Sequence, residues 1–143
     1  MKRYPWVKIH GGARPPIGPD GRALLHKLNH VGWVLRRPVM VTSGRRTPRE
    51  QHYAYMDFLR GGVLAAPCCS RHYLHSWASC LRQCASNHCR SRAADCIIRL
   101  PSGDWVNIGE DHAARAVMRR VNLCLPVGSG ETWHVEIGES WRS

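Results

Sequence analysis

The chain has 143 residues, 43% of them hydrophobic, which is the length of one domain and enough apolar surface for a modest core. This composition excludes simple disorder, and no run approaches the ~20 apolar residues that a membrane-spanning helix needs. Lysine and arginine number 21 against 10 acidic residues, a formal net charge of +11, so we expect a partner that is a polyanion.

The basic residues are spread along the chain and form no tail or single basic helix. This favours a generally cationic surface, and no dedicated nucleic-acid site is expected. Residues 1–12 are basic but contain no continuous apolar stretch typical of a secretory signal. We therefore expect a protein made in the cytoplasm of its host, with no signal peptide and no transmembrane segment.

Proline and glycine are dense in residues 1–19, which predicts an extended N-terminal arm in front of a single domain at residues 20–143. A helix is predicted to begin at Arg22, because the apolar residues that follow have helical spacing: Leu24, Leu28, Val31 and Leu35. A short buried strand is predicted next, at Pro38–Thr42.

The second helix has its own start and stop signals. Thr47-Pro48-Arg49-Glu50 is a capping box with proline at the first helical position, and Gly61-Gly62 suits a helix end. We predict a helix from Pro48 to about Arg60, with Gln51 assigned to packing or to hydrogen bonds along the helix face.

The later part of the chain predicts a hairpin, a helix and a closing strand. Asp95–Leu100 and Trp105–Ile108 flank a turn sequence and form the hairpin. Glu110–Val121 is acidic at its start and basic at its end, which suits the helix dipole. The closing strand is Thr132–Ile137.

Five of the seven cysteines lie within Cys68–Cys89, and residues 68–85 form a Cys/His-rich insertion. After Ser70, a stripe at helical spacing predicts a helix that packs its cysteines inside: Leu74, Trp77, Leu81 and Cys84. Thiolates also suit a second, structural zinc, whose candidate ligands are Cys68, Cys69, Cys80 and Cys84, with His72 and His75 nearby. Disulfides are the third interpretation, and all three stay open.

Two histidines and an aspartate on separate predicted elements suggest a catalytic zinc site. Such a site takes three protein ligands and leaves one position open for water, and His88, Asp95 and His134 supply two imidazoles and a carboxylate. Bound zinc lowers the pKa of water from ~16 toward ~7. Glu131, three residues before His134, is the candidate base. Arg46 follows a strand end and can orient a substrate carbonyl or stabilise an oxyanion.

Three stretches of the chain resemble a known family: Ser43-Gly44-Arg45-Arg46-Thr47, residues 86–95, and Glu131-Thr132-Trp133-His134. The zinc D-alanyl-D-alanine carboxypeptidases and dipeptidases, and the L-alanyl-D-glutamate peptidases of phage endolysins, have these motifs in the same order. The resemblance covers roughly residues 20–139. It implies that His88, Asp95 and His134 bind zinc, that Glu131 is the catalytic base, and that Arg46 binds substrate.

Ser86 and Trp133, which lie in the same motifs, are assigned to substrate binding, with Trp133 as a pocket wall. The resemblance implies a small α+β domain, in which helices surround an antiparallel sheet that carries the zinc site. The chain departs from the family pattern at Ser91, which replaces a glycine, and at Arg45, which replaces an aromatic residue. If position 91 needs a positive φ, the serine is strained.

The resemblance implies a zinc metallopeptidase that cleaves stem-peptide bonds of bacterial peptidoglycan, as a phage endolysin or a virion-associated lysin. Its expected partners are peptidoglycan and the anionic polymers of the cell wall. The alternative is a catalytically silent cationic module that binds cell wall or nucleic acid on the same fold. Glu136, on the strand face of His134, either supports that ligand or is a solvated carboxylate.

Overall fold

The computed structural model describes residues 3–62, 88 and 91–138, and these form an α+β fold, as predicted. The helices in this part of the chain are α1 (Gly18–Leu35), α2 (Pro48–Leu59) and α3 (His112–Arg120). The strands are β1 (Val7–Ile9), β2 (Val39–Ser43), β3 (Ala93–Arg99), β4 (Trp105–Asn107), β5 (Leu123–Cys124) and β6 (His134–Ile137). Short 3₁₀ turns lie at Ile108–Glu110 and Gly128–Gly130.

The strands form one sheet in the order β1-β2-β3-β6-β5, with β4 also paired to β3. The predicted antiparallel sheet is correct for every pair except β1 and β2, which run parallel, so the sheet is mixed. The physical reason is α1: a helical crossover between β1 and β2 returns the chain to its starting end, and the second strand then runs in the same direction as the first.

The core fills the space between the sheet and helices α1 and α3, which also pack on each other. On α1 the predicted stripe is buried, with Leu24, Leu28 and Val31 fully inaccessible. On β3 the buried core residues alternate along the strand: Ala94, Cys96 and Ile98. Because side chains of a strand alternate between faces, Asp95 points to the face away from this core.

Two predicted helix starts differ from the structure. The first helix begins at Gly18 instead of Arg22, because Pro19 lies in its first turn, where a missing N–H costs no hydrogen bond. The predicted helix Glu110–Val121 is a 3₁₀ turn followed by α3, because the Asp111 side chain accepts a hydrogen bond from Ala114 N at 2.8 Å and caps the helix there.

Other predicted elements are confirmed. The capping box of α2 is present, with Thr47 Oγ1 accepting from Glu50 N at 3.2 Å and Glu50 Oε1 accepting from Thr47 N at 3.1 Å. The hairpin of β3 and β4 forms around residues 100–104. The insertion at residues 68–85, its predicted helix and its four candidate zinc cysteines lie outside the described residues. In the described part, no helix is both long and apolar enough to cross a membrane.

Asp111 also forms an ion pair that joins α3 to the end of α1. Its two oxygens accept from Arg37 at 2.6 and 2.9 Å, and the two side chains are only 10% and 13% exposed. Replacing Asp111 with alanine should lower the free energy of unfolding near pH 7 by about 2 to 3 kcal/mol, because α3 loses its cap and a poorly solvated guanidinium loses its partner. Denaturant unfolding measures this change.

The effect of this substitution should depend on pH. The hydrogen bond from Arg37 holds the pKa of Asp111 below its ordinary value. A carboxyl with a lowered pKa stabilises the fold above its unfolded pKa of ~3.9, and this contribution disappears as the pH falls through the folded pKa. The wild-type protein and the variant should therefore converge in acid. Asp57→Ala, which removes an exposed ion pair with Arg60, should change stability by less than ~0.5 kcal/mol, and an equal effect of both substitutions would contradict the prediction.

Candidate metal centre

His88, Asp95 and His134 come together on the sheet face opposite the core. His88 lies in a turn before β3, Asp95 lies on β3, and His134 is the first residue of β6. Asp95 and His134 are direct partners in the antiparallel register of β3 and β6. Directly opposed residues of antiparallel strands place their side chains on one face, so the strand pairing itself brings two of the three candidate ligands together.

The three candidate donor atoms form a nearly equilateral triangle. His88 Nε2 lies 3.2 Å from His134 Nδ1 and 3.4 Å from Asp95 Oδ1, and His134 Nδ1 lies 3.3 Å from Asp95 Oδ1. Zinc binds nitrogen and oxygen ligands at ~2.0–2.2 Å, and tetrahedral geometry then separates the ligands by ~3.3–3.6 Å. The triangle therefore fits one face of a zinc tetrahedron and leaves the fourth corner for water or substrate.

The far nitrogen of each histidine is held by an acceptor. His88 Nδ1 donates to the Gly44 carbonyl at 2.9 Å, and His134 Nε2 donates to Glu136 Oε2 at 2.7 Å. The nitrogens that face Asp95 then carry lone pairs when the rings are neutral. Three acceptors that face one another repel unless a cation lies among them. Such partners behind the ligands are typical of metal sites, and Glu136 is in this position.

The electrostatics of the site also favour positive charge between the donors. Burial opposes ionisation of Asp95, but hydrogen bonds from His134 and His88 outweigh it and hold the pKa of Asp95 well below its usual range. Burial disfavours the charged form of His134, yet its hydrogen bonds to Asp95 and Glu136 raise its pKa to about 9. The cluster of acceptors therefore attracts a cation, and a proton or a metal ion can satisfy it.

Glu131 lies in the loop that enters β6. Burial raises the pKa of its carboxyl and nearby Asp95 raises it further, while His134, His88 and Arg46 oppose the shift. His134 N donates to the Glu131 carbonyl at 3.2 Å, which keeps the two residues close, and the Glu131 carboxyl is not one of the three donors. A carboxylate with a raised pKa in this position suits the transfer of a proton.

The guanidinium of Arg46 lies over the same site. Its Nη2 is 3.6 Å from Asp95 Oδ2 and donates to Ser43 Oγ at 3.3 Å, while Nη1 donates to Gln51 Oε1 at 3.2 Å. Gln51 is only 1% exposed. Its carbonyl therefore holds Arg46 in place, a function more specific than the packing or helix-face bonding predicted from the sequence.

Three other residues of the predicted motifs are Trp133, Ser86 and Ser91. Trp133 is half-buried between Glu131 and His134, and its carbonyl accepts from Cys96 N at 2.8 Å. Ser86 lies outside the described residues. Ser91 has a φ of 58°, the left-handed conformation in which a serine is strained, and its buried Oγ accepts from Ile17 N at 3.0 Å.

The N-terminal arm contacts the loop that carries Gly44. Arg45 N donates to the Arg14 carbonyl at 2.9 Å, and a Cβ at position 44 would overlap that carbonyl oxygen. Gly44 thus permits the close approach of the arm, and its own carbonyl holds His88. The sequence contained no signal for this contact, because it joins segments that are distant along the chain.

Comparison with known proteins finds a likeness to a solved structure. No protein-family model and no curated protein matches the chain. The chain is similar to a crystal structure of the vancomycin resistance D,D-pentapeptidase VanY, a mutant from the VanB-type resistance cassette in complex with Zn(II). The identity is 17% and the TM-score is 0.47, and the match covers 92% of this chain and 78% of that chain.

Proposed function

We propose that this protein is a zinc metallopeptidase that hydrolyses stem-peptide bonds of bacterial peptidoglycan. The observation that carries this proposal is the donor triangle of His88, Asp95 and His134, whose edges of 3.2 to 3.4 Å match the ligand spacing of tetrahedral zinc. The order of its three motifs, which resemble those of peptidoglycan peptidases, supports the substrate class. A net charge of +11, suited to an anionic wall, supports a role as a phage endolysin or a virion-associated lysin.

Zinc held by the three ligands would polarise the scissile carbonyl and make the attacking water more acidic. Glu131 accepts a proton from this water as its oxygen attacks the carbonyl carbon, and then donates that proton to the leaving amine as the C–N bond breaks. The guanidinium of Arg46 donates to the carbonyl oxygen as that oxygen gains negative charge. Gln51 and Ser43 orient Arg46 in advance, so little reorganisation is needed when substrate binds.

Ser86 and Trp133 belong to the same proposal as substrate-binding residues. Trp133 directly precedes His134 and follows Glu131 by two residues, which suits a wall of the pocket. The four cysteines of the insertion, Cys68, Cys69, Cys80 and Cys84, remain candidates for a second, structural zinc.

The test combines metal analysis with digestion of purified peptidoglycan. We expect at least one zinc per chain and release of peptide fragments that a chelator abolishes and added zinc restores. Mass analysis of the fragments identifies the bond. Two zincs per chain would support the structural site in the insertion. If the protein has no zinc and cleaves nothing but still binds cell wall or nucleic acid, the proposed peptidase function is overturned and the cationic binding module is supported.

A further inference from the structure

A polar cavity of about 260 Å³ lies at the loop that follows β2. Its walls come from the arm at residues 12–14, from the end of β2 and the loop that follows at residues 42–46, and from α2. Arg46 lies in this wall and also contacts Asp95 Oδ2 at 3.6 Å. Arg46 therefore links the cavity wall to the donor triangle.

The cavity wall carries three guanidinium groups and one carboxylate. The carboxylate of Glu50 is already engaged, because Oε1 accepts from Thr47 N and lies 3.1 Å from Arg14 Nη1. Arg46 is engaged by its bonds to the metal centre and to the side chains that orient it. The third cation is Arg45, whose charge also helps to lower the pKa of the Glu50 carboxyl.

Arg45 lines the cavity, and one of its hydrogen-bond donors is unpaired in the described part of the chain. Its Nε is buried and has no hydrogen-bond partner in the described part of the chain. Its backbone N donates to the Arg14 carbonyl, and this hydrogen bond holds the backbone of Arg45 in place in the cavity wall. Buried donors without partners are rare and unfavourable, and the fork of donors on arginine matches the two oxygens of a carboxylate.

We propose that the cavity is a subsite for a free carboxylate of the substrate peptide and that Arg45 is the residue that selects it. This inference rests on the proposed peptidase function and adds a substrate feature to it. The carboxylate can be the C-terminal one of the peptide or one on a side chain, since both present the same pair of oxygens. A carboxypeptidase would recognise the C-terminal carboxylate, whereas an enzyme that recognises an internal residue would bind the side-chain carboxylate.

The test uses the zinc-loaded full chain and one stem peptide in three forms: both carboxylates free, the C-terminal carboxylate amidated, or a side-chain carboxylate amidated. For the wild-type protein, one amidation should lower kcat/KM by about 10- to 100-fold. In Arg45→Gln that discrimination should shrink to less than ~3-fold, because the free peptide becomes as poor a substrate as its amide. Arg45→Lys keeps the charge without the fork and should retain part of the discrimination.

A matched control removes the same charge elsewhere. Arg120 is exposed on α3 and is not part of the cavity wall, so Arg120→Gln should discriminate between the peptides as the wild-type protein does. Calorimetric binding of the three peptides to the proteins gives a readout that needs no turnover. The dissociation constants should follow the same pattern as kcat/KM.

The outcomes separate the two proposals. Cleavage of all three peptides with equal kcat/KM by the wild-type protein, or an unchanged ratio in Arg45→Gln, would overturn the subsite and leave the peptidase in place. Failure of the wild-type protein to cleave any peptide or peptidoglycan would overturn the peptidase. In that case the binding measurements would decide the subsite by themselves, because a carboxylate preference that Arg45→Gln abolishes supports it and equal binding overturns it.

Discussion

Replacement of Glu131 by glutamine should lower kcat by about 10²- to 10⁴-fold while the zinc content stays at the wild-type value. The amide keeps the size of the side chain but cannot take a proton from water. Glu131 is outside the donor triangle, so the three ligands keep their geometry. Release of peptide fragments from peptidoglycan, measured per zinc-loaded chain, tests the first expectation, and metal analysis tests the second.

Glu110→Gln is the matched control for this substitution. Glu110 is exposed and contacts the same loop, since its Oε1 accepts from Thr132 Oγ1 at 3.4 Å. Its loss removes an equal charge near the site without removing the candidate base, and turnover should change by no more than a few-fold. Turnover of Glu131→Gln at the wild-type rate would show that another group takes the proton.

Replacement of His134 by alanine should empty the metal centre. The variant loses Nδ1 from the donor triangle and leaves Asp95 and Glu136 without the imidazole between them. We expect zinc affinity to fall by more than ~100-fold and chelator-sensitive cleavage to disappear. The loss of a residue that only hydrogen-bonds to a metal ligand usually lowers affinity by about 10- to 100-fold, and the loss of a ligand itself should exceed this. Equilibrium competition with a zinc chelator of known affinity measures the loss.

Two further variants should have smaller effects on zinc affinity than His134→Ala. Glu136→Gln keeps all three ligands but weakens the hydrogen bond behind His134, so zinc affinity should fall by about 10- to 100-fold. His112 is exposed on α3, and His112→Ala should leave zinc affinity unchanged. Full retention of a chelator-sensitive, catalytic zinc in His134→Ala would place that metal elsewhere in the chain.

The residue types of the candidate site could be predicted from the sequence, because two histidines, an aspartate and a glutamate in ordered motifs are typical of a hydrolytic zinc centre. Their spacing depends on the register of β3 and β6, which pairs Asp95 with His134. Periodicity places a residue on a strand face but does not choose the partner residue on another strand. The 3.2–3.4 Å triangle is therefore information that only the folded chain contains.

The groups that hold the site together were harder to predict. Arg46 lies in the loop after β2 and Gln51 in the first turn of α2, so the fold of this short segment brings them together. The helical pattern alone does not distinguish this contact from ordinary packing. Within the arm, which was predicted to be extended, Val7–Ile9 forms a strand that pairs with β2, and this pairing was not predicted, since three residues are too few for a period-2 pattern. The arm's contact with the Gly44 loop joins distant segments, which local sequence patterns do not encode.

The mixed sheet has a consequence for the behaviour of the protein at high concentration. Its outer strands in the described part of the chain are β1 and β4, with three residues each, and β5, with two. Short outer strands expose few unpaired backbone groups and give a second molecule little to pair with. Since β1 covers the five-residue strand β2, the arm also protects the sheet from edge-to-edge aggregation.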